Sequence, residues 1–169
     1  MAEQKQVKYD IDGYDTLTNA VMSLINQYPA LKENEIIEFS ILDTDGGMAM
    51  YPSPEAVINT EKTFITGRVL QECFYSMHIV YRTAAVSEKS RIRVKEWLDN
   101  MGRWLSKEPV VIDGETYKLN EYPPLADGRK IVSFDRNLQT QSHIDNTLEN
   151  KGDDWVIKIV ARYENEFYK

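Results

Sequence analysis

Residues 63–83 read TFITGRVLQECFYSMHIVYRT, and residues 87–105, SEKSRIRVKEWLDNMGRWL, follow almost at once. The first stretch is a β pattern. Val69, Cys73, Tyr75, Met77, Ile79 and Tyr81 fall on one side of a two-residue repeat that only Gln71 breaks. The other side mixes Glu72, Ser76, His78 and Arg82 with Leu70, Phe74 and Val80. The second stretch is an amphipathic helix. Val94, Trp97, Leu98, Met101, Trp104 and Leu105 form one broad stripe, and Ser87 stands where an N-cap belongs. The strand region is too long for its body. At about 3.3 Å per residue it would span roughly 65 Å, against a globule about 40 Å across. It must bend, break near Gly67, or project as a long strand or hairpin arm, and such an arm points to assembly.

Outward from this pair, Tyr14–Tyr28 predicts a first helix through Leu17, Val21, Leu24, Ile25 and Tyr28. Asp12 or Asp15 is its expected cap, and Pro29 its end. Ile36–Leu42 and Met48–Tyr51 read as a hairpin turned by Asp43–Gly47, DTDGG. Ala56–Asn59 fits a helix or a strand equally. Gly102, inside the second helix, costs about 1 kcal/mol against alanine and implies close approach by another backbone. Val110–Ile112 and Glu115–Leu119 flank Asp113-Gly114, a strong type I′ hairpin signal. Tyr122-Pro123-Pro124 is a stiff extended link. Lys130–Phe134 is a short strand, and Trp155–Tyr163 is the last, with Lys158, Arg162 and Glu164 outward. Residues 1–12 read as a flexible N-terminus and 135–154 as a long polar loop. The whole predicts a single domain over residues 1–169. Its fold class is α+β, a mainly antiparallel sheet with two amphipathic helices packed on one face.

Composition narrows the function. The chain has 169 residues, a net charge of −7, three Trp and ten Tyr. That acidity disfavours a protein that grips nucleic acid, since such affinity comes from neutralising phosphates. It suits a surface that DNA slides past. A single cysteine excludes an internal disulfide and a cysteine zinc cage. Cys73 reads as a small buried residue. No secretory h-region and no membrane-length apolar run appears.

Tests for chemistry fail one by one. DTDGG opens like a calcium loop, but that pattern needs glycine at position 48 and glutamate at 54, where Met48 and Pro54 stand. His143-Ile144-Asp145 lacks a nucleophile in reach. Cys73 and His78 point to opposite faces about 16 Å apart. The nucleotide, hydrolase and metalloprotease motifs are absent, as is the histidine pair of an HHxxxD acyltransferase. The expectation is no catalytic residue, no metal and no cofactor. Lys89, Arg91, Arg93 and Lys95 form a basic run at the start of the second helix. They read as a solvated face, or as a contact for an acidic neighbour or passing DNA.

The order of elements is specific in kind. An N-terminal helix and hairpin precede FYSMHIVYRTAAVSEKSRIRVKEWLDNMGRWL (74–105), and a closing sheet ends in DWVIKIVARYE (154–164). Over residues 10–165 this resembles the tail terminator or minor capsid (tail completion) proteins of long-tailed bacteriophages and prophages, in pattern, order and size. The resemblance implies a structural virion protein rather than an enzyme. It would form a hexameric ring on the end of the tail tube, stop tube polymerisation and offer its other side to the head–tail connector. Genomic DNA would pass through the lumen without specific binding, and no membrane is involved. The expected place is the tail–neck junction of the virion, after assembly in the host cytoplasm. Arg136, Asn137, Gln139, Gln141 and His143 are the expected partner-facing residues. The alternatives are another neck or head-completion protein, a small enzyme, and a peptide-binding module that uses a strand edge.

Overall fold

A computed structural model of the chain describes residues 6–43, 46–83, 87–137, 143–145 and 153–169. The elements in chain order are β1 (Lys8–Tyr9), α1 (Ile11–Ile25), β2 (Ile37–Phe39), β3 (Gly47–Pro52), β4 (Val57–Thr63) and β5 (Arg68–Thr83). α2 (Glu88–Leu105), β6 (Val110–Ile112), β7 (Glu115–Tyr117), β8 (Arg129–Asn137), β9 (His143–Asp145) and β10 (Asp153–Tyr168) follow. The fold is α+β: a mainly antiparallel sheet carries both helices on one face.

The long strand breaks at Gly67 and does not project. A turn at 64–67 separates β4 from β5, and β10 pairs with β5 along its whole length, from Asp153↔Thr83 to Tyr168↔Arg68. Two strands of sixteen residues thus form the spine of the sheet. At one end β3 and β2 extend it from β5, and β9 from β10. At the other, β4 and β1 extend it from β5, and β8 from β10. β6 and β7 form a separate ribbon, and Asp113 and Gly114 both take the positive φ of the expected I′ turn.

The parity read from sequence decides which face is covered. Val69, Cys73, Tyr75, Met77 and Ile79 of β5, with Trp155, Ile157, Ile159, Ala161 and Tyr163 of β10, are buried beneath the helices. α1 adds Leu17, Val21, Leu24 and Ile25; α2 adds Val94, Leu98, Met101, Trp104 and Leu105. Tyr28 locks the two helices together. Its ring meets Trp97 edge-on at 5.1 Å, and its hydroxyl donates to the Trp97 carbonyl at 3.1 Å. Tyr81, half-buried, packs edge-on against the other side of Trp97. Ser87 caps α2 as expected, its Oγ accepting from the Ser90 N–H.

Several expectations change. The DTDGG segment does not close a hairpin: β2 and β3 pair in parallel, Ile37 beside Met48 and Phe39 beside Met50. The link across 40–46 is long enough to carry the chain back past so short a strand, and β3 is committed to β5. α1 starts at Ile11, not Tyr14, because Asp10 is its cap. It ends at Ile25, where Asn26 takes over. Residues 8–12 are therefore not a flexible tail: β1 pairs with β4 and Asp10 is buried. Nor is 135–154 one loop. β8 runs on to Asn137, β9 occupies 143–145 and β10 begins at Asp153; 138–142 and 146–152 lie outside the described residues. Ala56–Asn59 leads into β4. Gly102 is approached by a side chain rather than a backbone, since a Cβ there would lie 3.2 Å from the Arg136 Cδ.

Candidate assembly interface

Of the five residues expected to face a partner, Arg136 is occupied inside the chain. Its stem lies on Gly102 and its guanidinium pairs with Asp99 of α2. Asn137 and His143 sit in strands opposite Lys158 and Trp155, but their side chains lie outside the described residues, as do Gln139 and Gln141 entirely. The basic run of α2 is divided too. Arg91 reaches the buried Asp153 at 3.0 Å and Lys95 pairs with Asp99 at 2.6 Å, while Lys89 and Arg93 stay exposed. The basic run therefore does not form one free surface, and of the expected partner-facing set only Arg136 lies among residues whose side chains are described.

What the fold leaves open is the second face of the sheet. No helix covers it among the described residues. Its strands carry the even-numbered side chains of β5 and β10, and charges there are matched across strands. Arg82 holds Asp154 in a two-pronged pair at 2.7 and 2.8 Å. Arg162 donates to Glu72 at 2.6 Å, and Arg68 to Glu166 at 2.9 Å. Lys130 stands opposite Glu164. The Arg68 hydrogen bond holds the Glu166 carboxyl below its ordinary range. Between these pairs run Val57, Phe74, Ala49, Val80, Val156 and Val160. His78, opposite Lys158 and Tyr51, has its pKa lowered by burial and by the Lys158 charge, so it is neutral near pH 7.

The edges of the sheet differ in readiness. At β2, Asn26 reaches over from the end of α1. Its Oδ1 accepts from the Ile37 N–H at 2.8 Å, and its Nδ2 donates to the Ile37 carbonyl at 3.1 Å. The side-chain amide occupies the place of a next strand, which blocks pairing there. By contrast β4 beyond Ile58 has no strand on its outer side among the described residues, and Asn59–Thr63 are all exposed. β8 has no strand on its outer side among the described residues, but Phe134 is engaged there: its carbonyl accepts from Ser106 Oγ at 2.7 Å and its backbone also meets the Tyr122 hydroxyl.

Below the helix layer a buried polar knot ties the start of the chain to the sheet. Arg129 donates through Nη2 and Nε to both Asp10 oxygens, at 2.7 and 3.0 Å. The Tyr163 hydroxyl donates to Asp10 Oδ2 at 2.7 Å, and the Gly13 N–H to Oδ1 at 3.1 Å. Burial pushes the Asp10 carboxyl up, but the Arg129 and Tyr163 hydrogen bonds and the Arg129 charge outweigh it, so the net shift is downward. The carboxylate is fully engaged, burial pushes the nearby Cys73 thiol up to about 11, and no three metal-binding side chains converge among the described residues. Sequence reading missed this knot because its members are scattered along the chain; the one local clue is Asp10 three residues before Gly13. The uncovered face, in contrast, was legible in the mixed parity of Leu70–Arg82.

No helix among the described residues is long and apolar enough to cross a membrane. No family model matches the chain, and no curated protein matches its sequence.

Proposed function

We propose that the protein is a structural subunit that closes into a ring, the tail terminator of a long-tailed phage or phage-derived particle, at the tail–neck junction. One observation carries the ring. The two open edges, β4 and β8, bound a run of four strands, β4–β5–β10–β8, each antiparallel to the next. Their edge strands therefore run in opposite directions. A second copy placed head to tail sets its β4 beside the first copy's β8 with antiparallel polarity, and the same step repeats until the ring closes. At the other end Asn26 blocks the β2 edge at Ile37.

The uncovered face supports the second half of the reading. Directed inward, it would line a passage whose arginines are neutralised by neighbouring carboxylates. Among the described residues such a wall leaves Lys62 and Lys158 as its cations without a carboxylate partner, few for the phosphate neutralisation that tight binding needs, which suits DNA in transit. The order of elements supplies the resemblance to tail terminators. Another neck protein of the same particle shares these physical features.

The test is a register scan. A cysteine at Thr60 of β4 is combined in turn with one at Lys130, Val132 or Asp135 of β8, while Cys73 stays buried. Oxidation is expected to give a ladder that ends at a closed oligomer of one size, for at least one pair. Light-scattering mass and negative-stain images of the same fractions should show rings with a central hole, and added tail tubes of the particle should be capped. A chain that remains monomeric at all concentrations, cross-links at no register and leaves tubes uncapped overturns the reading.

A further inference from the structure

The helix-bearing side of the sheet holds a cleft of about 490 Å³ where the helix layer ends. Its walls are apolar, formed by Tyr9, Ile11, Ile58 and Phe167. Its floor is polar: Gln71 and Asn165 are 7 % exposed and Arg129 9 %. Asn165 Nδ2 donates to Gln71 Oε1 at 3.0 Å, and Gln71 Nε2 to Glu61 at 2.7 Å. Arg129 spends Nε and Nη2 on Asp10. Two floor atoms make no hydrogen bond among the described residues, the acceptor Asn165 Oδ1 and the donor Arg129 Nη1. Neither is a fully buried orphan, so both stay open to an incoming group. A floor with one acceptor and one donor between apolar walls fits a peptide backbone that brings an apolar side chain. The rim carries Asp12 and Asp127, both exposed, so it favours a segment with cations beside that side chain.

The chain itself displays such a segment. The β4–β5 turn is held firmly. Phe64 N–H donates to the Arg68 carbonyl at 2.8 Å, Gly67 N–H to that of Phe64 at 2.9 Å, and Lys169 N–H to that of Gly67 at 2.9 Å. The Arg68 guanidinium sits 5.0 Å over the Phe64 ring. Yet Ile65, at the apex, is completely exposed. The Ile65 and Thr66 peptide groups make no hydrogen bond among the described residues, and Lys62 and Lys169 lie close by in the chain and the sheet. A rigid turn that presents one bare isoleucine, free amides and flanking cations is the chemical complement of the cleft.

We infer that Ile65 and its turn seat in this cleft of a second copy of the chain. The inference deepens the ring reading and rests on it for the closing of the ring. In the ring reading each copy's knob enters the next copy's cleft, a head-to-tail contact. Ile65 enters between Ile11, Ile58 and Phe167, its peptide groups meet Asn165 Oδ1 and Arg129 Nη1, and Lys62 faces the acidic rim.

The test uses the full chain. Chains carrying only I65C are mixed with chains carrying only I11C and oxidised. The expected product is the mixed dimer, with neither variant cross-linking alone. Ile65→Asp and Ile11→Asp, both at exposed sites, are each expected to weaken self-association by about tenfold or more while melting like the parent. If rings form, the Thr60 register scan gives its ladder and Ile65→Asp assembles like the parent, the knob-and-cleft contact is wrong and the ring stands. If the mixed dimer forms but no ladder appears at any register, the contact stands and the edge-paired ring falls. If neither cross-link forms, both are overturned.

Discussion

Asp10 is the residue on which most depends. It caps α1, neutralises Arg129 and receives the Tyr163 hydroxyl. Removing one partner of a buried pair costs about 3–5 kcal/mol, because the other charge is left stranded. Asp10→Ala should therefore lower the midpoint of urea unfolding by about 2 M, at roughly 2 kcal/mol per M. The pH dependence follows from the sign of the shift. The folded carboxyl titrates below its unfolded value, so its stabilisation is complete above the unfolded pKa and is lost as pH falls through the folded one. Stability should decline below about pH 4, and Asp10→Asn should remove that part of the decline; an unchanged acid limb would sink the assignment. Gly13 belongs to the same knot. A Cβ there would lie 2.1 Å from Asp10 Oδ2 and 2.6 Å from Arg129 Nε. Helix propensity alone favours Gly13→Ala by about 1 kcal/mol. The displaced ion pair outweighs that, so the substitution should destabilise by about 2 kcal/mol or more, measured by chemical denaturation. Beyond Asp10 before Gly13, little of this was legible in the sequence, where Arg129 and Tyr163 lie far along the chain. Cys73 was: its place in the alternation made it a buried small residue, and it is one.

Among the elements, the alternation of β5 and the stripes of the helices carried the fold class, because burial on one face writes itself into the pattern. The extent of β10 did not. Glu164, Asn165 and Glu166 are polar and read as strand end, yet the strand runs through them to Tyr168, opposite Glu72, Gln71 and Leu70. Glu166 pairs with Arg68 and Asn165 with Gln71 rather than with core, so no hydrophobic period marks them. The direction of β2 was hidden for a related reason. Ile37 faces the core whether the strand runs parallel or antiparallel, and a long connection carries no directional signal. Asn26 makes that edge safe through three hydrogen bonds, to Met22 as well as Ile37. Asn26→Ala should cost about 1–3 kcal/mol for the groups left unpaired and should raise aggregation on heating. Equal solubility of variant and parent would show that the edge needs no guard.

At the scale of the whole molecule, a two-layer body with one bare sheet face must keep that face from sticking. The pairs Arg162–Glu72, Arg68–Glu166 and Arg82–Asp154 meet that need. Pairs as open to water as the first two add little to stability, so their role is in what they prevent. The double change Glu72→Val with Arg162→Val should leave the melting temperature within a few degrees while lowering solubility, read by concentration-dependent turbidity. A large drop in melting temperature with solubility intact would reverse that assignment. The site was only partly legible from sequence. The polar stretch 136–143 drew attention by its composition, whereas the cleft and the open edges arise from which strands end up neighbours.

The sixteen-residue match of β5 with β10 also sets the timing of folding. Their partners are separated by between 70 and 100 positions, and closing such loops is slow compared with forming hairpins or helices. During synthesis β5 emerges with β3 and β4 on one side and nothing on the other. It keeps an unpaired apolar edge until the final strand leaves the ribosome. A nascent chain stopped at residue 152 should accordingly be held by chaperones or lost to aggregation. The full chain should gain protease resistance in one late step, as β10 zips into place.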